Sequence, residues 1–273
     1  MKLWAIIEFT FREGLARKTI IGFAAISTFF LLIGILAALM VPTTIEIGGG
    51  GDTAAQHIDI TKDPTIIWQV QAGLTGFINF AALVLSIFAT ASIIPNTMDK
   101  GNIDLLLSKP ISRTDLLLGK SLGSLLIVLA NVAWFIVGMW VITGARTGIW
   151  NAGFLAVTLS ITYTFLVLYA PMLVIGIGSR SSALTIILLY VFIFLVGPIL
   201  EAREPLAELV SSDAVNTVMD VLYYILPKPD ALSKLSASLV MHQPIDWMPV
   251  WTSGLFAAAM YALAAWMFQR KEF

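Results

Sequence analysis

Six stretches of this 273-residue chain are long and apolar enough to cross a bilayer as helices, and nothing else in the sequence constrains the fold as strongly. A crossing needs about 20 mostly apolar residues to traverse a hydrocarbon core about 30 Å thick. The stretches run from about 20 to 41, 66 to 94, 119 to 143, 151 to 178, 183 to 200 and 249 to 268. No Lys, Arg, Asp or Glu lies well inside any of them; Lys120 stands at a boundary. The composition agrees, being 58% hydrophobic and 12% charged, against roughly 45–50% and about 25% in soluble domains. A soluble enzyme, a disordered chain and a nucleic-acid-binding domain are excluded together. The sequence therefore predicts an all-α membrane protein of six transmembrane helices, with residues 1–273 as a single transmembrane domain.

Few charges inside the spans argue against a proton-coupled carrier or a charge-lined channel, because buried charges mark such pathways. Asn79, Ser86 and Asn131 are the intramembrane polar residues, expected to join helices by hydrogen bonds or to touch a transported path. With no cysteine and two histidines, disulfides and thiolate metal sites are absent, and no metal site is expected. Paired intramembrane aspartates and a His-Glu-x-x-His motif are both missing, so no catalytic set points to a membrane-embedded enzyme.

Six crossings place both ends on one side, and the charges choose it. The ends and the loops joining crossings two to three and four to five hold eleven Lys or Arg, against five on the other side. The positive-inside rule then makes both termini cytoplasmic in a multi-pass protein of the cytoplasmic (inner) membrane. The first apolar run is too long for the core of a signal peptide and reads as a retained helix.

The segments between crossings carry the rest. Residues 1–18 place Leu3, Ile6, Ile7, Phe11 and Leu15 near one helical face with basic ends, predicting an amphipathic helix along the inner membrane surface. Residues 43–65 contain four successive glycines from Gly48 to Gly51 and read as a flexible outer excursion. Residues 201–248 predict two amphipathic helices on, or dipping into, the outer leaflet, or a lid packing on a partner chain. One carries Leu206, Leu209, Val210, Val218, Val221, Leu222 and Ile225; the other carries Leu232, Leu235, Leu239 and Val240, with Asp230 as its N-cap.

The cytoplasmic stretch 95–118 is too regular for a linker. Ile103 and Leu105 to Leu107 form an apolar ridge, Pro110 breaks the helix, and Ser112 stands as the N-cap of a second helix three residues before Asp115. Such a helix–break–helix element suits docking into a groove of another protein. Gly119-Lys120-Ser121 has the tail of a phosphate-binding loop, but the leading glycine of that pattern would fall at Thr114 and no strand precedes it. Gly119 and Ser121 read instead as small residues for close helix packing.

At this loop the chain resembles the type 2, export-class ABC transporter permeases. The residues that carry the resemblance are Asp99-Lys100-Gly101, Asp104 to Leu107 with Ser108, Pro110-Ile111-Ser112-Arg113 and Gly119-Lys120. Asn102 and Asp104 stand where the pattern usually has threonine and glutamate. The basic N-terminal helix is similar to the family's connecting helix. Tyr224-Ile225-Leu226-Pro227 is similar to its outer turn, and Phe268 to Phe273 to its terminus. Within the family the chain looks most like the multi-copper-enzyme maturation permeases.

The resemblance implies a permease subunit coupling ATP hydrolysis on a separate chain to export. Asp99, Lys100, Gly101, Asp104, Leu107, Ser108, Pro110, Ser112 and Arg113 would contact that chain. ATP and Mg would belong to the cytoplasmic ATPase partners, with no cofactor on this chain. A second permease copy, or a similar permease, would complete the usual twelve crossings. A cargo path lined by apolar, Ser, Thr and Asn side chains is compatible with a lipid-like or peptide cargo. An alternative is a mechanical transducer in which residues 201–248 act on an extracytoplasmic partner and no substrate crosses.

Overall fold

The structure, a computed structural model, describes residues 2–16, 18–40, 44–47, 56–59, 63–98, 112–209 and 213–271. Among these, six helical spans are long and apolar enough to cross a membrane, in the order read from the sequence. Helix α1 (Lys2–Ala16) precedes the first of them, α2 (Lys18–Met40). Two short antiparallel strands follow, β1 (Thr44–Ile47) and β2 (Gln56–Asp59), with Thr44 opposite Asp59 and Ile47 opposite Gln56. The loop read as a flexible excursion thus has a paired stem. Its glycines, Gly48 to Gly51, lie outside the described residues.

Helix α3 (Pro64–Thr90) starts where the sequence supplies both a cap and a helix-compatible proline. Asp63 accepts from the Thr65 amide at 2.9 Å, and Pro64 occupies the first turn, where its missing N–H is no loss. After a turn, α4 (Ile93–Thr97) continues the span. Helix α5 (Arg113–Thr147) is one unbroken helix of 35 residues. The second helix expected within the 95–118 loop is therefore the first turns of the third crossing, and that crossing begins at Arg113 rather than near 119. Ser112 caps it as read, its Oγ accepting from the Asp115 amide at 3.0 Å.

Helix α6 (Ala152–Ser179) is the centre of the bundle. Val157, Ile161, Phe165, Leu168 and Leu173 are fully buried along it, packed by α3, α5 and the last crossing. The fifth crossing is built from α7 (Ser182–Val191), a wide π-helical turn at Phe192–Val196 and α8 (Gly197–Glu201). Pro198 explains the wide turn. A proline ring clashes with the carbonyl four residues back, and the Gly197 amide instead bonds Phe192, five residues back.

Beyond it come α9 (Arg203–Leu209), α10 (Asp213–Ile225), α11 (Pro229–Val240) and the last crossing, α12 (Met248–Arg270). Where the sequence reading had one helix carry Leu206 to Ile225, the structure describes two, α9 and α10, with residues 210–212 outside the described residues; Val218, Val221, Leu222 and Ile225 of α10 are exposed. Helix α11 does not lie on the surface. Pro229, Leu232, Ser236 and Val240 are buried between α3 and α6, so the helix sits inside the mouth of the bundle. Asp230 is not its N-cap either. Lys228 holds that position, and Pro229 takes the first helical place that follows.

Candidate functional site

Residues 99–111 join α4 to α5 in the sequence and lie outside the described residues; the described residues on both sides, the stems of this loop, are anchored. On one stem Ile93, Ile94, Pro95 and Met98 are buried, Pro95 lying beside Gly176 near the end of α6. On the other, Arg113 donates from Nη1 to the backbone oxygens of Gln269 (3.1 Å) and Lys271 (2.6 Å). Gln269 Nε2 returns a bond to Thr114 Oγ1 at 2.9 Å. Lys271 in turn donates to the carbonyls of Ile177 and Gly178, where a cation meets the negative end of the α6 dipole. Burial, with Arg180 nearby, pushes the Lys271 ammonium below its ordinary pKa. Arg113 and the chain's last helix thus tie the loop's exit to the end of α6.

Helix α1 closes the same end against α5. Ile6 and Thr10 are buried on the face formed by Gly119 and Gly123. A Cβ at Gly119 would stand 2.5 Å from Ile6, and one at Gly123 would stand 2.6 Å from Thr10. Close approach of the two helices requires glycine at both places. Between these two glycines, Lys120 is only 2% exposed; its ammonium bonds the Glu13 carboxylate and lies 5.0 Å from the Phe9 ring centre. The small-residue reading of Gly119 holds, while Gly123 and the Glu13–Lys120 pair went unread. Their signal was present: a lone Lys at a span boundary, preceded by Gly119 and followed by Gly123.

The sites read from the sequence fall into three groups. Asp99, Lys100, Gly101, Asp104, Leu107, Ser108 and Pro110 lie outside the described residues. Ser112 and Arg113 form the loop's exit. Asn79, Ser86 and Asn131 do not come together. Asn131 accepts from Ser27 of α2 at 2.6 Å. Asn79 donates to the Thr75 carbonyl at 2.8 Å and faces Ser236 of α11 at 3.5 Å. Ser86 Oγ is fully buried and has no partner among the described residues.

At the opposite end, α11 is held by polar contacts absent from the sequence reading. Ser236 Oγ lies 2.9 Å from Ser160 Oγ, and Asn151 donates to the Val240 carbonyl at 3.0 Å and to Gln71 at 2.9 Å. Gly153 lets the α11 backbone approach, since a Cβ there would stand 2.2 Å from the Leu239 carbonyl oxygen. Beside it lies a charged cluster. Lys234 bonds Glu201, Arg203 stacks 3.6 Å from the Tyr223 ring centre and pairs with Asp220 at 3.2 Å. Burial, then the neighbouring Glu201, raise the Asp230 carboxyl above its ordinary pKa. Burial, then Arg203, lower that of Lys228. Among the described residues, no group of three His, Cys, Asp or Glu side chains could hold a metal ion.

Two comparisons bear on this arrangement. The family model described as ABC-2 family transporter protein matches residues 25–273, from within α2 to the last residue. No curated protein matches the chain.

Proposed function

The chain belongs to the ABC-2 family of transporter proteins, and from that premise we propose that it is the permease subunit of an exporter driven by ATPase subunits on separate chains. It is a multi-pass membrane permease component by its family and its six apolar helices. In the proposed arrangement both termini and the 99–111 loop face the cytoplasm, the ATPase docks on that loop, and a second permease completes the transporter. The supporting observation is the anchoring of the loop's stems. A push on the loop would reach α5 through Ser112 and Arg113, and reach α6 through Pro95 and the Lys271 tie. ATP binding can shift the helices only if the docking contacts differ between the two states, and stems fixed to the core would convert such a difference into helix movement. Deletion of residues 99–111 is expected to abolish co-purification with the ATPase subunits. Retention of that complex would sink the proposal.

A second reading draws on α10 and α11. An apolar helix face exposed beside a helix seated in the bundle mouth would suit a device that pulls on an extracytoplasmic partner. Cargo movement into sealed inverted vesicles supports the exporter. ATP-dependent capture of a partner by residues 201–248 without cargo movement supports the transducer.

A further inference from the structure

The peripheral crossing α2 is poorly covered by the rest of the chain, and it leaves a crevice against α3 and α5. The enclosed space between the three helices is only about 40 Å³ and is open on one side, so it can seat part of a ligand rather than enclose one. Phe23, Ile78 and Val132 form a buried floor. Phe30 and Phe77 stand at the mouth, partly exposed, with ring centres 5.9 Å apart in an edge-to-face contact that bridges α2 and α3. No charged side chain lines the crevice.

One polar feature breaks this apolar wall. Asn131 and Ser27 both line the crevice and share a hydrogen bond of 2.6 Å. The Ser27 hydroxyl also lies 3.0 Å from the Phe23 carbonyl. An amide carries two N–H donors and one carbonyl, and Ser27 can engage only one of these groups. Whichever way the amide is turned, at least one Asn131 N–H has no protein partner among the described residues. An unfilled donor in apolar surroundings is costly, and a ligand oxygen would remove the cost.

We propose that the α2–α3–α5 crevice binds a neutral lipophilic molecule from the bilayer, its apolar body against the phenylalanines and one oxygen acceptor on Asn131. Absence of charge in the lining excludes anionic and cationic ligands, which would lose their hydration without compensation. An unpartnered Asn131 N–H selects a ketone, ester, ether or alcohol oxygen. The site stands on α2, α3 and α5 alone and does not depend on the ATPase partner or on transport direction.

Benzophenone, a neutral aromatic ketone that cross-links on irradiation, is a direct probe. With the full chain in phosphatidylcholine nanodiscs, labelling should saturate and map by mass spectrometry to residues 23–30, 77–85 and 131–135. Ala82→Trp, which fills the crevice, should abolish that labelling. Asn131→Leu keeps the volume and removes the donor, and should raise the half-saturating concentration about tenfold. Dioctanoylglycerol should compete, and the anionic dioctanoyl phosphatidylglycerol should not. Labelling that never saturates, that spreads over the lipid faces of α7 and α12, or that is unchanged in Asn131→Leu would overturn the assignment. Equal competition by the two lipids would overturn the neutrality requirement.

Discussion

Two side chains show how burial decides what a charge is worth here. Lys120 is almost wholly covered, whereas its partner Glu13 keeps 29% of its side chain exposed. Removing the carboxylate takes a counter-charge from a buried ammonium; removing the ammonium leaves a carboxylate that can turn toward water. Glu13→Gln is therefore expected to cost about 3 kcal/mol and Lys120→Met about 1–2 kcal/mol, read as thermal midpoints in detergent micelles. The reverse order would contradict the burial argument. Asp230 offers a test with pH. Its folded-state pKa is raised, chiefly by burial and then by Glu201, so the folded form binds its proton more readily than the unfolded form. The stability this contributes is fully present below the unfolded value, near 3.9, and is lost as pH rises through the folded value. Asp230→Asn should raise the neutral-pH midpoint relative to the parent, with the difference vanishing toward about pH 4. Local chemistry of this kind was unevenly legible. Ser112 was readable as a cap because an N-cap needs only its own hydroxyl and the amides that follow. Asp230 was misread because Pro229 takes the first helical place and pushes the cap back to Lys228; its pKa depends on Glu201, which sequence alone does not bring near.

At the scale of elements, close backbone approach explains what periodicity missed. Gly119→Ala and Gly123→Ala should each cost about 1–3 kcal/mol by pushing α1 from α5, and trypsin should then cut faster at Arg17 and Lys18. Gly22 has nothing within 4 Å of the position a Cβ would take, so Gly22→Ala should be neutral or stabilise by up to about 1 kcal/mol. The same logic holds for α11. Gly153→Ala would drive a methyl into the Leu239 carbonyl, and should unseat α11. Because the chain has no cysteine, Ser236→Cys can report this cleanly: a water-soluble maleimide should label it slowly in the parent and faster with Gly153→Ala. Unchanged labelling would show that α11 stays seated. The sequence reading placed α11 on, or dipping into, the outer leaflet because Leu232, Leu235, Leu239 and Val240 read as one apolar stripe; of these, Leu232 and Val240 are buried. Its buried face also passes through Ser236, which is tolerated inside because Ser160 and Asn79 meet it. Hydropathy rates a residue alone and does not register a polar partner supplied by another helix.

For the whole molecule, number and order of crossings follow from apolar length, which is a property of each segment by itself. Their mutual arrangement does not, since α6 becomes the central helix through contacts with α3, α5, α11 and α12 together. The proposed orientation rests on charge asymmetry and can be tested on the intact protein. Cysteines placed singly at Gly101 and Gly49 should react with an impermeant reagent from opposite sides of the membrane, Gly101→Cys from the cytoplasm. Labelling of both from one side would refute the topology. Helix α5 gives this arrangement a mechanical property. At 1.5 Å per residue its 35 residues extend about 52 Å, some 20 Å more than the hydrocarbon core is thick. A stiff rod of that length, pivoting near its foot beside Arg113, would swing its far end by about 4–5 Å for a tilt of only 5°. Displacements smaller than a side chain at the loop would thus be geometrically amplified at the opposite face, with no intermediate joint.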